Sequence, residues 1–381
     1  MDTSIQKHYF STHLLTWYRR HRRDLPWRRS RNPYYIWISE VMLQQTRVDT
    51  VIPYFHRFIE RFPTMESLAD APEEDVLKLW EGLGYYSRAR NLQGAIREVQ
   101  ERYAGKVPDT LEEISTLKGV GPYTAGAVLS IAYNKPEPAV DGNVMRVLSR
   151  YFLIEEDIMK PKTRSIMEKL AKELIPEGAA GDFNQALMEL GAMVCTPRSP
   201  HCLTCPVMEH CSARDAGMEE ELPVKKKAKP PRPEYRIAAI IEGSGDNAGK
   251  VLIRQRPQEG LLARMWELPH AEVPFTYEAQ EQTVLQAIPA SISLLTDQLA
   301  EETIGVCPER WFMKAEHTFS HIHWDMQVVV CSLEPSVLST SSGMLMPSRY
   351  QWVDSSMMEQ FAFPNVFLKL LNRYFQEKQM S

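Results

Sequence analysis

The chain has 381 residues, of which 24% are charged, with a formal net charge of -5 and six cysteines. That length supports two or three domains with cores of their own. No run of about 18 apolar residues offers a membrane span and the start, MDTSIQKHYFSTHLL, lacks the pattern of a secretory leader, so a cytosolic protein is expected. The acidity is uneven. Residues 1–216 hold 28 Lys and Arg against 28 Asp and Glu, whereas residues 234–381 hold 11 against 18, which leaves the first part able to bind an anion through local patches.

Residues 1–216 read as helical. Tyr9–Arg19 and Ile36–Thr46 carry apolar residues at helical spacing, and Pro53–Phe62, Pro72–Gly82 and Ser87–Tyr103 follow as further helices. Several open on Pro or an acidic cap, as helix starts do. Between the first two, Arg19, Arg20, Arg22, Arg23, Arg28, Arg29 and Arg31 fall within 13 residues, opposed by Asp24 alone. Such a run is either a solvated helix end or an anion-binding patch. Glu40 stands in the otherwise apolar Ile36-Trp-Ile-Ser-Glu-Val-Met-Leu. Buried there, its carboxyl would be desolvated and kept protonated near neutrality, as a general acid requires. On the wet edge of the helix it would be an ordinary surface Glu.

Leu117 to Met145 organises the rest. Gly119 and Gly121 form a Gly-x-Gly turn, and Pro122 suits the first position of a helix that runs to about Tyr133. The glycines let a backbone approach closely, and the free amides of the helix start can seat a phosphate; the plainer alternative is a turn that only joins helices. Asp141, in Val-Asp-Gly-Asn-Val, is either a helix cap before Val144–Arg150 or a catalytic carboxylate. Taken with Glu40 it suggests the two-carboxylate logic of glycosidic cleavage. Gly178 to Gly181 then break the chain before a helix over Phe183–Val194.

Cys195, Cys202, Cys205 and Cys211 follow with spacing x6, x2 and x5, while Cys307 and Cys331 stand apart. Four thiolates on one short loop can wrap a [4Fe-4S] cluster or a zinc ion. Only one CxxC pair is present, where zinc sites usually show two, so iron–sulfur is favoured, in a structural role around Arg198. Residues 217–233 are charged and Pro-rich and read as a linker; a nuclear-targeting reading of Lys225–Lys229 ranks below that. Beyond it, strands are predicted over Arg236–Ile241, Lys250–Arg256, Met326–Leu333 and Gln351–Val353, with helices over 278–287 and 365–377, an α+β domain.

Together, Leu25-Pro-Trp27, Ser39-Glu-Val-Met-Leu-Gln-Gln-Thr46, Gly82-Leu-Gly-Tyr-Tyr-Ser-Arg88, the glycine hairpin, Val140-Asp-Gly-Asn143 and the cysteine loop resemble the helix-hairpin-helix DNA glycosylases related to endonuclease III, and most closely their MutY-type adenine branch. The resemblance spans nearly all of residues 22–211. It implies a mainly α glycosylase domain over 1–216 with its hairpin at about 117–133 and a [4Fe-4S] loop at 195–211. The expected partner is duplex DNA carrying adenine opposite 8-oxoguanine or guanine, bound by a monomer. Glu40 would protonate adenine N7, and Asp141 would stabilise the sugar cation with support from Tyr123 and Asn143. Arg22, Trp27 and Gln185 would surround the extruded adenine. Gln45 and Tyr85 would enter the base stack, with Thr46 and Leu83 against the lesion; on spacing alone, Trp27, Tyr85 and Tyr86 read as aromatic core. Bifunctional relatives carry a lysine where this chain has Tyr123, so a monofunctional enzyme is expected, with Lys118 the nearby amine.

Residues 234–381 resemble the Nudix fold. GLLARMWELP at 260–269 echoes the segment before a Nudix box, but Glu301-Glu302-Thr-Ile-Gly305 is a degraded box, so lesion recognition rather than nucleotide hydrolysis is expected. Phe319, Ser320 and His321 match the family's loop that reads 8-oxoguanine, Ser320 supplying the hydrogen bond. His317, His321 and His323 could otherwise be a metal cluster or plain surface residues.

Overall fold

Prolines and short polar caps start many of the helices in this computed structural model, which describes residues 3–226, 229–274, 281–334 and 347–380. In chain order these are α1 (Thr3–His21), α2 (Pro33–Leu43), α3 (Val48–Arg61), α4 (Met65–Ala69), α5 (Glu73–Leu79), α6 (Ser87–Tyr103), α7 (Leu111–Ile114), α8 (Pro122–Tyr133), α9 (Gly142–Tyr151), α10 (Pro161–Leu174), α11 (Ala180–Met193) and α12 (Ser212–Ala216). Asn32 caps α2 by accepting from the Tyr34 amide, with Pro33 at its first position. Gly121 caps α8 and Pro122 opens it, and Asn134 closes it in the left-handed conformation at φ 55°. The predicted span of that helix, 122–133, is the observed one. No described helix is long and apolar enough to cross a membrane.

By contacts the chain divides into two units, residues 1–71 with 87–228 and residues 72–86 with 229–381. Pro72–Tyr86, grouped with the helical part in the sequence reading, thus packs with the second unit. The first unit closes over Phe10, Leu14 and Tyr18 of α1, Val147, Leu148 and Tyr151 of α9, Met167 and Leu174 of α10, and Phe183, Leu187 and Leu190 of α11. Cys195, Cys205 and Cys211 pack against the same cluster. The cysteine loop is thereby seated on the core rather than hung from it.

The second unit is built on a seven-stranded sheet among the described residues: β1 (Arg232–Glu242), β2 (Val251–Gln255), β3 (Trp266–Glu267), β4 (His270–Val273), β5 (Val306–Thr318), β6 (Ile322–Leu333) and β7 (Tyr350–Val353). Its main order is β3-β2-β1-β6-β5, with β4 on β1 and β7 on β2. β1 and β6 run parallel, with Ala238 opposite Val328. α13 (Glu281–Glu301) and α14 (Asn365–Met380) complete the unit. Leu295 and Leu299 of α13 and Phe367, Leu370 and Leu371 of α14 belong to separate core clusters, each shared with sheet residues.

Four expectations change. The helix expected over Ile36–Thr46 ends at Leu43, because Gln45 takes a left-handed φ of 58° and turns the chain. α3 begins at Val48, five residues before the expected Pro53, which sits inside it. Gly181 lies within α11, and the break falls at Gly178, φ 71°. The helix expected over 278–287 lies partly outside the described residues and continues to Glu301. The 13-residue β5 had no predicted counterpart; among the described residues it pairs with β6 alone, and its mixed exposed residues carry no clean alternation.

Candidate active site and cysteine loop

α2 and α8 pack together, and this brings Glu40 and Tyr123, 83 residues apart, into contact. The Tyr123 hydroxyl donates to Glu40 Oε2 at 2.5 Å. Glu40 is 5% exposed, and burial pushes its carboxyl up to about 7; the Tyr123 hydrogen bond and Arg28 oppose this while the Asp141 charge adds to it. Burial and the same two carboxylates drive the Tyr123 phenol well above its ordinary value. The wet-edge reading of Glu40 is therefore excluded, and Glu40 lies close enough to Asp141 for their charges to interact.

Asp141 is a helix cap and a site carboxylate together. Its Oδ1 accepts from the Val144 amide at 2.8 Å, and its Oδ2 accepts from Asn143 Nδ2 at 2.8 Å. Burial raises its pKa against those hydrogen bonds and the nearby Arg146 charge. The resemblance assigned both Tyr123 and Asn143 to the support of Asp141. In the structure Asn143 bonds Asp141, whereas the Tyr123 hydroxyl, which has one proton to give, spends it on Glu40.

A cleft of about 450 Å³ opens here, its lining including Gln44, Gln45, Gly119, Gly121, Tyr123 and Asp141. Gly119 turns at φ 73°, where a Cβ would also meet Asn91 Cβ at 2.6 Å. The hairpin turn, Tyr123 and Asp141 thus face one space, and Glu40 is joined to it through the Tyr123 hydroxyl. Arg88 Nη1 donates to the carbonyls of Val41, Met42 and Gln44 at 2.7, 3.0 and 2.6 Å, holding the unwound end of α2.

The expected base-pocket residues are spread through the same unit. Trp27 is buried and packs edge-on against Phe55 at 5.4 Å, so the aromatic-core reading describes its surroundings as seen. Arg22 is exposed. Gln185 Nε2 donates back to the Gly181 carbonyl at 3.1 Å. Thr46 Oγ1 reaches the Gln44 carbonyl at 3.4 Å.

Sequence reasoning missed two networks. Glu189, 1% exposed, binds Arg23 and Arg28 through both oxygens at 2.8 to 3.2 Å. Burial pushes Glu189 upward, but these arginines outweigh it and hold the carboxyl down at about 2. Arg146 donates to Asn143 Oδ1 at 2.8 Å, to the Gly191 carbonyl at 2.8 Å and to the Cys195 carbonyl at 2.8 Å. One guanidinium therefore ties the cysteine loop to the residue that orients Asp141. The available signal was the one that singled out Glu40: a charge inside an apolar helix, here Val-Met-Arg-Val-Leu.

None of the four loop cysteines is in a disulfide. They line one cavity together with Arg150, His201 and Arg214. Buried Arg150 donates to Cys195 Sγ at 3.3 Å and to the Thr196 carbonyl at 2.7 Å. Four cysteine sulfurs lining one cavity are a donor set that fits [4Fe-4S].

In the second unit, Phe319, Ser320 and His321 form the tip of the β5–β6 hairpin. Phe319 packs edge-on against Trp324 at 4.8 Å, and Ser320 Oγ donates to the Tyr85 hydroxyl at 3.2 Å. Tyr85 is 45% exposed with φ 48°, whereas Leu83, expected against the lesion, is buried at 7%. His321 is exposed, and His323 pairs with Thr318 at 2.8 Å. Glu302 of the degraded box binds Arg349, the Tyr350 hydroxyl and Arg254. Its carboxylate is an ion-pair anchor.

Residues 38–177 match the family described as HhH-GPD superfamily base excision DNA repair protein, residues 195–211 the iron-sulfur binding domain of endonuclease III, and residues 239–373 the NUDIX domain. The adenine DNA glycosylase of Homo sapiens is 36% identical over 415 residues, covering 96% of this chain and 74% of the human protein. That of Rattus norvegicus is 38% identical over 373 residues, 85% of this chain and 70% of the rat protein. Among solved structures, a thermostable thymine-DNA glycosylase superposes with a TM-score of 0.52 at 32% identity, over 57% of this chain and 100% of that one.

Proposed function

The chain belongs to the adenine DNA glycosylases of the HhH-GPD base excision repair superfamily, and from that premise we propose how its residues divide the chemistry of adenine removal. It is a hydrolase of the N-glycosidic bond in DNA. A base must leave the duplex stack before this bond can be reached. The extruded adenine enters the first unit beside the cleft, with the phosphate backbone gripped by the amides at Gly119 and Gly121. Glu40 holds its proton near neutrality; because Oε2 accepts from Tyr123, Oε1 carries the proton to adenine N7. Protonation turns the base into a neutral leaving group, and the ionised Asp141, oriented by Asn143, stabilises the oxocarbenium-like sugar. Water then completes hydrolysis and leaves an abasic site.

The mispair acted on is adenine opposite 8-oxoguanine or guanine, read by the Phe319–His321 tip with Ser320 as the hydrogen-bonding residue. Gln45 and Tyr85 enter the stack, and Arg22, Trp27 and Gln185 complete the base pocket. When bound, the [4Fe-4S] cluster supplies four thiolate–iron cross-links to residues 195–211. Arg150 and Arg146 keep that loop on α9, where the second of them also holds Asn143.

The observation that carries the mechanism is the buried carboxyl of Glu40, joined through Tyr123 to a cleft that Asp141 lines. Release of free adenine from an 8-oxoguanine·adenine duplex under single-turnover conditions tests it. Glu40→Gln and Asp141→Asn should each lose about 10²-fold or more while still binding the duplex. Unaltered turnover in either variant removes that residue from the mechanism.

A further inference from the structure

The turn after α5 in the second unit holds its backbone in the left-handed region. Gly82, Gly84 and Tyr85 take φ of 99°, 73° and 48° within four residues. Glycine adopts such angles freely, but a tyrosine does not, and a side chain held there marks a place where the surroundings dictate the backbone. The turn is braced internally: the Gly82 amide donates to the Tyr86 hydroxyl at 3.2 Å, and the Trp80 indole donates to the Gly84 carbonyl at 3.2 Å.

Its base is bolted to the second unit by two charged side chains. Lys78 Nζ donates to the carbonyls of Met358 at 3.2 Å and Phe361 at 3.0 Å, and to Glu81 Oε2 at 2.8 Å. Glu81 Oε1 in turn accepts from the Phe363 amide at 2.7 Å. All three protons of the ammonium are used, and each Glu81 oxygen has a partner, so the pair is saturated rather than a loose surface contact. At the far end of the segment the Tyr85 phenol meets Ser320. A stretch joined in sequence to the helical unit at Ala71 and Ser87 is therefore locked by side chains to the unit that carries the Phe319–His321 tip.

We propose that Lys78 and Glu81 are positioning residues for opposite-base discrimination: by fixing Pro72–Tyr86 to the 358–363 stretch they hold the Tyr85 phenol against Ser320, so that the two hydroxyls meet the base opposite adenine as one rigid pair. This rests on the reading of Ser320 as the residue that senses 8-oxoguanine. Neither Lys78 nor Glu81 touches the base. Their contribution is to remove the freedom of the Tyr85 turn, which would otherwise be lost at the moment of binding.

The full-length protein tests this through the ratio of single-turnover adenine release opposite 8-oxoguanine to that opposite guanine. Lys78→Met, which keeps the apolar stem, and Glu81→Gln should each lower the ratio about three- to thirtyfold. Ser320→Ala should lower it as well, and Lys78→Met should then add little in the Ser320→Ala background. Tyr85→Phe, which leaves the segment's anchor intact, should reproduce the Ser320→Ala loss even if Lys78→Met fails to fold. A ratio unchanged in Lys78→Met and Glu81→Gln, a fully additive loss in the double variant, or a Tyr85→Phe protein with the parent ratio overturns the proposal. Absence of any preference for 8-oxoguanine in the parent protein overturns the underlying reading of Ser320 instead, and the proposal with it.

Discussion

A carboxyl group that gives up a proton at neutral pH has to be made a weaker acid, and for Glu40, the acid of our proposal, burial does this. Burial raises it to about 7, while the Tyr123 hydrogen bond pulls the other way. The donor works in its protonated form, so excision should fall as pH rises through about 7. Tyr123→Phe removes the opposing hydrogen bond and should carry that falling limb to higher pH; a limb that stays in place separates Tyr123 from the titration. The same shift affects stability. With a folded pKa above the unfolded one, the native state keeps a proton that the unfolded state releases, so Glu40 costs stability above about 4.5, and the cost is fully developed above about 7. Glu40→Gln should therefore raise the thermal midpoint at pH 8 and leave it nearly unchanged at pH 4, by an amount worth about 1–3 kcal/mol. An equal effect at both pH values would show that the gain has another origin. On our proposal Tyr123 also speaks against a lyase, since a phenol cannot form an imine with the opened sugar. Borohydride should trap no covalent DNA adduct; strong trapping that disappears in Lys118→Ala would assign that chemistry to Lys118.

At the level of elements, the position of Asp141 depends on how closely α9 and α11 approach. A Cβ on Gly191 would come within 2.6 Å of Asn143 Cβ and 3.1 Å of its backbone, and Arg146 bonds both residues. Gly191→Ala must push Asn143 away from the Asp141 carboxylate or separate the helices, at a cost of about 1–3 kcal/mol. Excision should drop by about tenfold or more in protein that keeps its iron–sulfur absorption. Full activity would mean that Asn143 need not stay where it is. Asp141→Asn keeps an oxygen for the Val144 amide, so its loss of activity should come without the roughly 1 kcal/mol that removing a cap costs. Asp141→Ala should show both losses.

On the scale of the whole molecule, two units of different construction share one chain. The first carries the carboxylates, the glycine turn and the cluster loop; the second, by our proposal, carries the reading tip. The overall negative charge of -5 is compatible with DNA binding, because the phosphate contacts we propose at the Gly119–Gly121 turn are local. Affinity should still fall steeply with salt, by about 0.9 logarithmic units per tenfold salt for each phosphate neutralised. Replacing one ligand by Cys202→Ser should bleach the visible absorption and loosen the 195–211 loop, lowering DNA affinity and thermal stability together. A variant that keeps its colour and its iron would show that Cys202 is dispensable.

Much of this was legible in the linear chain because it is local. The bounds of α8 follow from Gly121, Pro122 and Asn134, each acting on its own backbone. The spacing of four cysteines implies a common centre, and a lone Glu in an apolar helix implies a desolvated acid. What the chain could not disclose were partnerships across long loops. That Tyr123 serves Glu40 and not Asp141, that Arg146 spans from Asn143 to Cys195, that Pro72–Tyr86 belongs with the sheet, and that Glu302 is consumed by Arg349 and Tyr350 are all choices among distant groups. Local sequence sets which residues can turn, cap or ionise. Which of them meet is decided only when the helices pack and the sheet closes, since a hydrogen bond depends on separations of tenths of an ångström that no residue controls alone.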